Sequence, residues 1–182
     1  TFYSMKLLII GHARHGKTTS ANFLSNRFNL KFSDSSRAAA EIFLYDKLKD
    51  KYGYKDFEEC YEDRVNHREE WFDEICRFNE KDPARLAKEI MKTADIYCGM
   101  RSNREILKCV EDNVFDYIIF IYNPNLPYED ANSFDIDFDK LPEHYTITNE
   151  PYRGMWHLEM QLTALLRELE IKQLNSGRKV QV

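Results

Sequence analysis

The sequence has few residues that break or cross-link a chain. Only 6 Gly, 5 Pro and 4 Cys occur among its 182 residues, which excludes a collagen-like, linker-rich or disulfide-framed protein. Cys60, Cys76, Cys98 and Cys109 are spaced for neither a metal knuckle nor a redox pair, and no Asn-x-Ser/Thr acceptor occurs. Both features predict a cytoplasmic protein (in a host's cytoplasm, if viral) whose thiols serve as small apolar side chains. No apolar run approaches the roughly 20 residues of a membrane span, so no membrane partner is expected. Residues 1–4 lack the basic and apolar regions of a signal peptide. Met5 reads as a natural start and residues 1–4 as an expression remnant. A basic excess is missing as well, with 26 Lys and Arg against 31 Asp and Glu and a net charge of −5. That argues against a nucleic-acid partner, but a small anionic ligand needs only a few placed cations.

Core-forming residues are plentiful, with 43% hydrophobic residues, among them 11 Tyr, 12 Phe and 2 Trp. The length suits one domain. Leu7-Leu8-Ile9-Ile10 and Tyr117-Ile118-Ile119-Phe120-Ile121-Tyr122 are unbroken apolar runs, as in strands buried on both faces. Shorter strands are predicted at residues 30–32, 96–98 and 145–148. Helices are predicted from Lys17, over 38–51, in two pieces over 57–78, from Pro83 (with Asp82 as cap) to about Lys92, over 105–110, and from Met155 to about Leu174. Strands alternating with helices predict an α/β fold with a mainly parallel five-stranded sheet. No strand pattern occurs over 38–93, which reads as a helical lobe inserted into a core of 5–37 and 94–182.

The segment Gly11-His12-Ala13-Arg14-His15-Gly16-Lys17-Thr18 matches G-x-x-x-x-G-K-[ST], with an apolar strand before it and a helix after it. Glycines let successive backbone N–H groups turn toward phosphate oxygens, and the helix N-terminus adds its partial charge. Lys17 supplies a point charge to the outer phosphates, and the Thr18 hydroxyl is a Mg²⁺ ligand. ATP and Mg²⁺ are therefore the expected cofactors. A metal site built from His12 and His15 is disfavoured by their place on a loop curled around phosphate. Arg14 either faces the transferred phosphoryl group or is solvated. No Asn-Lys-x-Asp guanine-reading element occurs, and the strands end in Gly99 and Asn123 rather than in an acid. GTPase and motor-type ATPase patterns are thereby set aside, which leaves the small kinases.

Five blocks carry a family resemblance: the phosphate loop, the turn Phe32-Ser33-Asp34-Ser35-Ser36-Arg37, residues 61–71 (YEDRVNHREEW), residues 99–105 (GMRSNRE), and Ile147-Thr148-Asn149-Glu150. In this order they resemble the nucleoside monophosphate kinases, in particular the bacteriophage deoxynucleoside monophosphate kinases. The resemblance implies a P-loop NTPase three-layer fold, with the inserted lobe binding the acceptor. It also implies transfer of the ATP γ-phosphoryl to a nucleoside or deoxynucleoside monophosphate. Arg101, just past the third core strand, is the implied grip on the acceptor phosphate, and a guanidinium there can bind bidentately. Lys17, Arg14 and Arg101 are thus the expected catalytic residues. Donor contacts fall on residues 11–18 with Thr19, Asn149 and Arg153.

Acceptor contacts are expected from Ser33, Asp34, Ser35, Ser36, Arg37, Arg64, His67, Arg68, Trp71, Arg101 and Arg104. Arg64, His67, Arg68 and Trp71 share one helical stripe at i, i+3, i+4 and i+7, beside an apolar stripe of Val65, Phe72 and Cys76. That face either grips phosphate and stacks a base or is a solvated face with Trp71 in the core. The turn at Ser33–Ser36 equally suits a helix cap, and Arg101 a surface ion pair. One departure from the family pattern is the stretch 123–139, which holds no Lys or Arg but does hold Glu129, Asp130, Asp135, Asp137 and Asp139. A cationic lid is therefore not expected there. Other readings stay open: a kinase for another small acceptor such as a coenzyme precursor, or a nucleotide-binding regulator without turnover. A homodimer is compatible with the sequence.

Overall fold

The computed structural model describes residues 5–128 and 136–177. Five strands form one sheet: β1 (Leu7–Ile10), β2 (Phe32–Asp34), β3 (Ile96–Cys98), β4 (Tyr117–Tyr122) and β5 (His144–Thr148). Their order is β2-β3-β1-β4-β5, and every pair is parallel. The fold is α/β with an all-parallel sheet, helices covering both faces. β1 lies at the centre with all four residues buried, because its alternate side chains enter two different cores. Leu8 and Ile10 join one cluster, Leu7 and Ile9 the other.

The second cluster is closed by α1 (Lys17–Phe28) and α8 (Met155–Asn175). Leu158, Leu162, Leu165 and Leu169 recur at helical spacing on α8 and are buried there. The first cluster lies under α2 (Ser35–Ala39), a π turn at Ala40–Leu44, α3 (Tyr45–Tyr52), α4 (Phe57–Asp63), α5 (Arg68–Phe78), α6 (Arg85–Met91) and α7 (Asn103–Glu111). The helical stretch 38–93 therefore shares one core with a sheet face: Ala38, Ala39, Leu44, Trp71 and Leu86 pack in the cluster that holds Leu8 and Tyr97. Chain order places β1 between β3 on one side and β4 on the other. The carboxyl ends of these strands thus frame a crevice at a topological switch point, where ligands of open α/β sheets bind.

Several local expectations shift. The second strand lies at Phe32–Asp34 rather than 30–32. Asp95 is the cause: its carboxylate accepts from Lys31 N–H at 2.8 Å, and the Lys31 carbonyl accepts from Asp95 and Ile96. Pairing with β3 therefore begins only at Phe32. The next helix starts at Ser35, not at Ala38, because the Asp34 carboxylate caps it by accepting from Arg37 N–H at 2.9 Å. Asp82 accepts from Ala84 N–H, so Pro83 lies in a turn and α6 begins two residues later.

The stretch 57–78 is in two pieces, but the break falls inside the expected stripe. A 3₁₀ turn at Arg64–Asn66 ends at His67, whose φ of −130° and ψ of 34° leave the helical region. Asp63 collects hydrogen bonds from Tyr54, Asn66 and His67 at 2.7, 2.7 and 2.9 Å. These donors, Tyr54 foremost, hold its carboxyl below the usual carboxylate range.

Candidate functional site

The loop between β1 and α1 is shaped by what lies behind it. A Cβ on Gly11 would meet the Ile121 carbonyl at 2.5 Å. Gly16 has a φ of 102°, and a Cβ there would run into the Asn149 side-chain nitrogen and approach its Cγ to 3.3 Å. Arg14 is also left-handed, at φ 66°. The Lys17 ammonium donates to the His12 carbonyl at 2.8 Å, so the side chain lies back along the loop. α1 starts from Gly16 with no side-chain cap and no acid in its first turn. Its first N–H groups and positive dipole end are thus left to an anion.

Two buried residues hold this loop to the far strands. Asn149, at the end of β5, donates its side-chain amide to the His15 carbonyl at 3.0 Å and its backbone N–H to Tyr122 at 2.7 Å. His15 is fully buried. Its Nδ1 accepts from Asn123 N–H at 3.0 Å, so its Nε2 carries the proton and donates to the Pro127 carbonyl, also at 3.0 Å. His12 is buried with its ring stacked on Tyr128, centroids 4.4 Å apart. Both histidines therefore position the loop. Among the described residues, no group of three or more His, Cys, Asp or Glu converges as a metal site.

In front of the loop lies a crevice of about 600 Å³. Ala13, Arg14, Lys17 and Thr18 line one wall. Asp34, Ser35 and Ser36 come from the end of β2, Gly99 and Arg101 from the end of β3, and Arg64, Arg68 and Trp71 from the helical stretch opposite. The Arg64 guanidinium is set in place by a 2.8 Å bond to the Tyr61 carbonyl and by stacking 3.9 Å above the Tyr61 ring. Val65 and Phe72 also line the crevice and are more than half exposed. α5 buries Trp71 and Glu74 instead, which leaves Phe72 and Cys76 on the crevice side rather than in the core.

Other expected residues lie elsewhere. His67 is outside the crevice lining, bonded to Asp63 and packed 4.2 Å from the Tyr52 ring. The 3₁₀ turn and the break after it swing His67 off the stripe shared by Arg64, Arg68 and Trp71. Arg37 pairs with Glu58 and Glu41 over the Phe57 and Tyr61 rings. It thus ties α2 to α4, and Glu58 is held below the usual carboxylate range by it. Ser33 faces a separate groove with Asn29 and Thr93, as alternation along a strand requires. Arg104 is exposed on α7 outside the lining. Thr19 is exposed in the first turn of α1 and also outside the lining. Arg153 pairs with Glu150 at 3.0 Å. Of the acids in the 123–139 stretch, Glu129, Asp130 and Asp135 lie outside the described residues. Asp137 starts a short 3₁₀ turn and pairs with Lys140 at 3.3 Å.

The sequence reading missed Glu105. Ser102-x-x-Glu105 spells a capping box, but only half of it forms: the Ser102 hydroxyl accepts from Glu105 N–H at 3.4 Å. The Glu105 carboxyl lines the crevice instead, and burial raises its pKa. Burial likewise pushes the Cys98 thiol, also in the crevice lining, up to about 11. No model of a known protein family matches the chain, and no curated protein matches it. No helix among the described residues is long and apolar enough to cross a membrane.

Proposed function

We propose that the protein is a P-loop kinase that transfers the γ-phosphoryl of ATP to a nucleoside or deoxynucleoside monophosphate. One observation carries this reading: cations from separate elements face a single crevice. Arg14 and Lys17 come from the loop wall, Arg64 and Arg68 from the opposite helical wall, and Arg101 from the end of β3. A protein that only binds one nucleotide needs the first set alone. Two sets suit two phosphate groups held end to end.

In this reading the loop N–H groups and Lys17 hold the β- and γ-phosphates of ATP. Arg64, Arg68 and Arg101 grip the acceptor phosphate, where a guanidinium offers paired donors to paired oxygens. The acceptor phosphate oxygen is already ionised at neutral pH, so no side chain has to remove a proton. It attacks the γ-phosphorus as the bond to the ADP oxygen breaks. The protein's work is positioning and charge stabilisation, with Arg14 beside the transferred group. The exposed Thr18 hydroxyl at the start of α1 fits a Mg²⁺ ion, which keeps waters and phosphate oxygens as its other ligands and needs no carboxylate cage. Mg²⁺ would neutralise the charge that develops on the phosphate chain.

The test is a coupled assay of ADP formation with ATP and each of the eight common nucleoside and deoxynucleoside monophosphates. Turnover with at least one monophosphate, well above ATP hydrolysis alone, is the expected result. Tight ATP binding with no turnover on any of them would favour a regulator. Turnover only with a non-nucleotide acceptor would move the protein to another small-molecule kinase.

A further inference from the structure

Two arginines of the helical wall line the crevice, and they are held differently. Arg68 is exposed, and no hydrogen bond, ion pair or ring contact fixes it among the described residues. Arg64 is half-buried. Its guanidinium donates to the Tyr61 carbonyl at 2.8 Å and lies 3.9 Å from the centroid of the Tyr61 ring. No carboxylate pairs with it among the described residues. A π face and a carbonyl orient a guanidinium without cancelling its charge, whereas a carboxylate does both. The Tyr61 ring is itself braced. The Arg37 guanidinium lies 5.1 Å from its centroid, and the Phe57 ring is nearly parallel to it, 6.3 Å away with planes 6° apart. The Tyr61 hydroxyl lies 3.5 Å from the Asp34 carboxylate. Arg37 is neutralised by Glu58 and Glu41. One ring thus meets two guanidiniums: the paired one is outside the crevice lining and the unpaired one is within it. Tyr61 is outside the lining too, so it acts on a bound ligand only through the side chains it holds.

We infer that Tyr61 is the positioning residue of the acceptor-phosphate grip: it fixes Arg64 in advance, charged and uncompensated, on the wall that the acceptor phosphate meets. The inference rests on the monophosphate-kinase reading above. It also gives Arg37 a role that its place in the sequence did not suggest, bracing the Tyr61 ring instead of touching phosphate. An arginine that moves freely in solvent loses rotamer freedom when it takes hold of an anion. Arg64 has given up that freedom in the folded protein, so less is lost when phosphate binds; Arg68 has not. The local chain makes this possible. Tyr61 and Arg64 are three residues apart across the end of α4 and the 3₁₀ turn that follows, a spacing that brings the later side chain back over the earlier one. Replacing the ring removes the platform but keeps the backbone carbonyl and the net charge, so it isolates the orientation of Arg64 from its presence.

The test is calorimetric titration with ATP and with whichever of the eight common monophosphates the wild type binds best, alongside steady-state kinetics and a thermal melt. The proteins are the wild type, Tyr61→Leu, Tyr61→Phe, Arg64→Gln and the Tyr61→Leu/Arg64→Gln double variant; Tyr61→Met replaces Tyr61→Leu if the latter does not fold. Tyr61→Leu should raise Kd and KM for the monophosphate about three- to tenfold and leave those for ATP within about twofold. Tyr61→Phe keeps the ring and should recover most of the monophosphate affinity. In the Arg64→Gln background Tyr61→Leu should cost nothing further toward the monophosphate, because its effect passes through Arg64. A merely structural role would lower Tm and weaken both nucleotides, with or without Arg64. Unchanged monophosphate binding in Tyr61→Leu, or an equal loss in the Arg64→Gln background, would overturn the inference and leave the kinase reading standing. Binding of a monophosphate without ADP formation would remove the kinase reading alone, and the titrations would still decide the role of Tyr61. A wild type that binds none of the eight would overturn both.

Discussion

Gly16 is where the loop and the strand behind it press hardest, which makes Gly16→Ala an informative perturbation. An alanine at φ 102° carries a left-handed strain of about 1–2 kcal/mol. Its Cβ would also overlap the Asn149 amide. Asn149 is buried, so its side chain must turn and give up the bond to the His15 carbonyl. An unsatisfied buried group costs about 1–3 kcal/mol. The sum, about 2–5 kcal/mol, lowers Tm by at least about 4 °C in a chain of this size. Asn149→Ala alone loses the bond but adds no clash. The double variant keeps the strain and escapes the overlap, so the two effects should fall short of additivity by about 1 kcal/mol or more. Thermal or urea unfolding of the four proteins reads this cycle directly, and ATP titration of the same samples should show weaker binding in Gly16→Ala. A Gly16→Ala protein that melts with the wild type, or a strictly additive double variant, would refute the claim that Asn149 shapes the loop.

Three further outcomes follow from named contacts. Lys17→Ala should fold normally, since the side chain lies back along the loop at the crevice wall, and should lose turnover by about 10²-fold or more; near-normal kcat would remove Lys17 from the phosphates. Replacing Arg64 and Arg68 together by Gln should lower kcat/KM for the monophosphate by at least about tenfold, or about 1.4 kcal/mol of transition-state binding, with ATP affinity kept; unchanged acceptor kinetics would show that the helical wall does not grip the acceptor. Asp63 has a folded pKa below its ordinary value, so its contribution to stability is present above the unfolded pKa of about 3.9 and is lost as pH falls through the folded one. The stability gap between wild type and Asp63→Asn should therefore be open at pH 7 and narrow as pH falls through and below the ordinary carboxylate range; a gap independent of pH would contradict the hydrogen-bonded carboxylate.

What the sequence made legible was set by local rules. β1 and β4 are unbroken apolar runs because both of their faces are covered, and that pattern survives in the one-dimensional string. The strand, loop and helix over residues 7–28 were legible because an apolar run, a stretch bounded by Gly11 and Gly16 and a helical pattern follow one another in the sequence. The misplacements have non-local causes. β2 begins at Phe32 because Asp95, 64 positions after Lys31, takes the Lys31 amide. The stripe of Arg64, His67, Arg68 and Trp71 obeys helical spacing only while the helix continues, and Tyr54, Asn66 and His67 converging on Asp63 end it. Arg37 looked like a phosphate ligand but pairs with Glu58. Glu105 was hidden because a capping box explains its place in the sequence, and only the fold reveals that its carboxyl turns elsewhere. His15 and Asn149 support the loop from behind, through partners 108 and 134 positions apart, which no spacing rule detects.

Donor and acceptor phosphates sharing one crevice can be tested most directly with bisubstrate analogues, adenosine joined through five phosphates to each common nucleoside in turn. Binding is measured by calorimetry with the wild type, Lys17→Ala, and the Arg64→Gln/Arg68→Gln double variant. The best analogue should bind about a hundredfold or more tighter than ATP, because its second half binds without a second loss of translational freedom. Both variants should erase most of that gain, since their side chains come from opposite walls of the same space. Analogues that bind no tighter than ATP, or tight binding indifferent to Arg64 and Arg68, would contradict a crevice built for two phosphate chains.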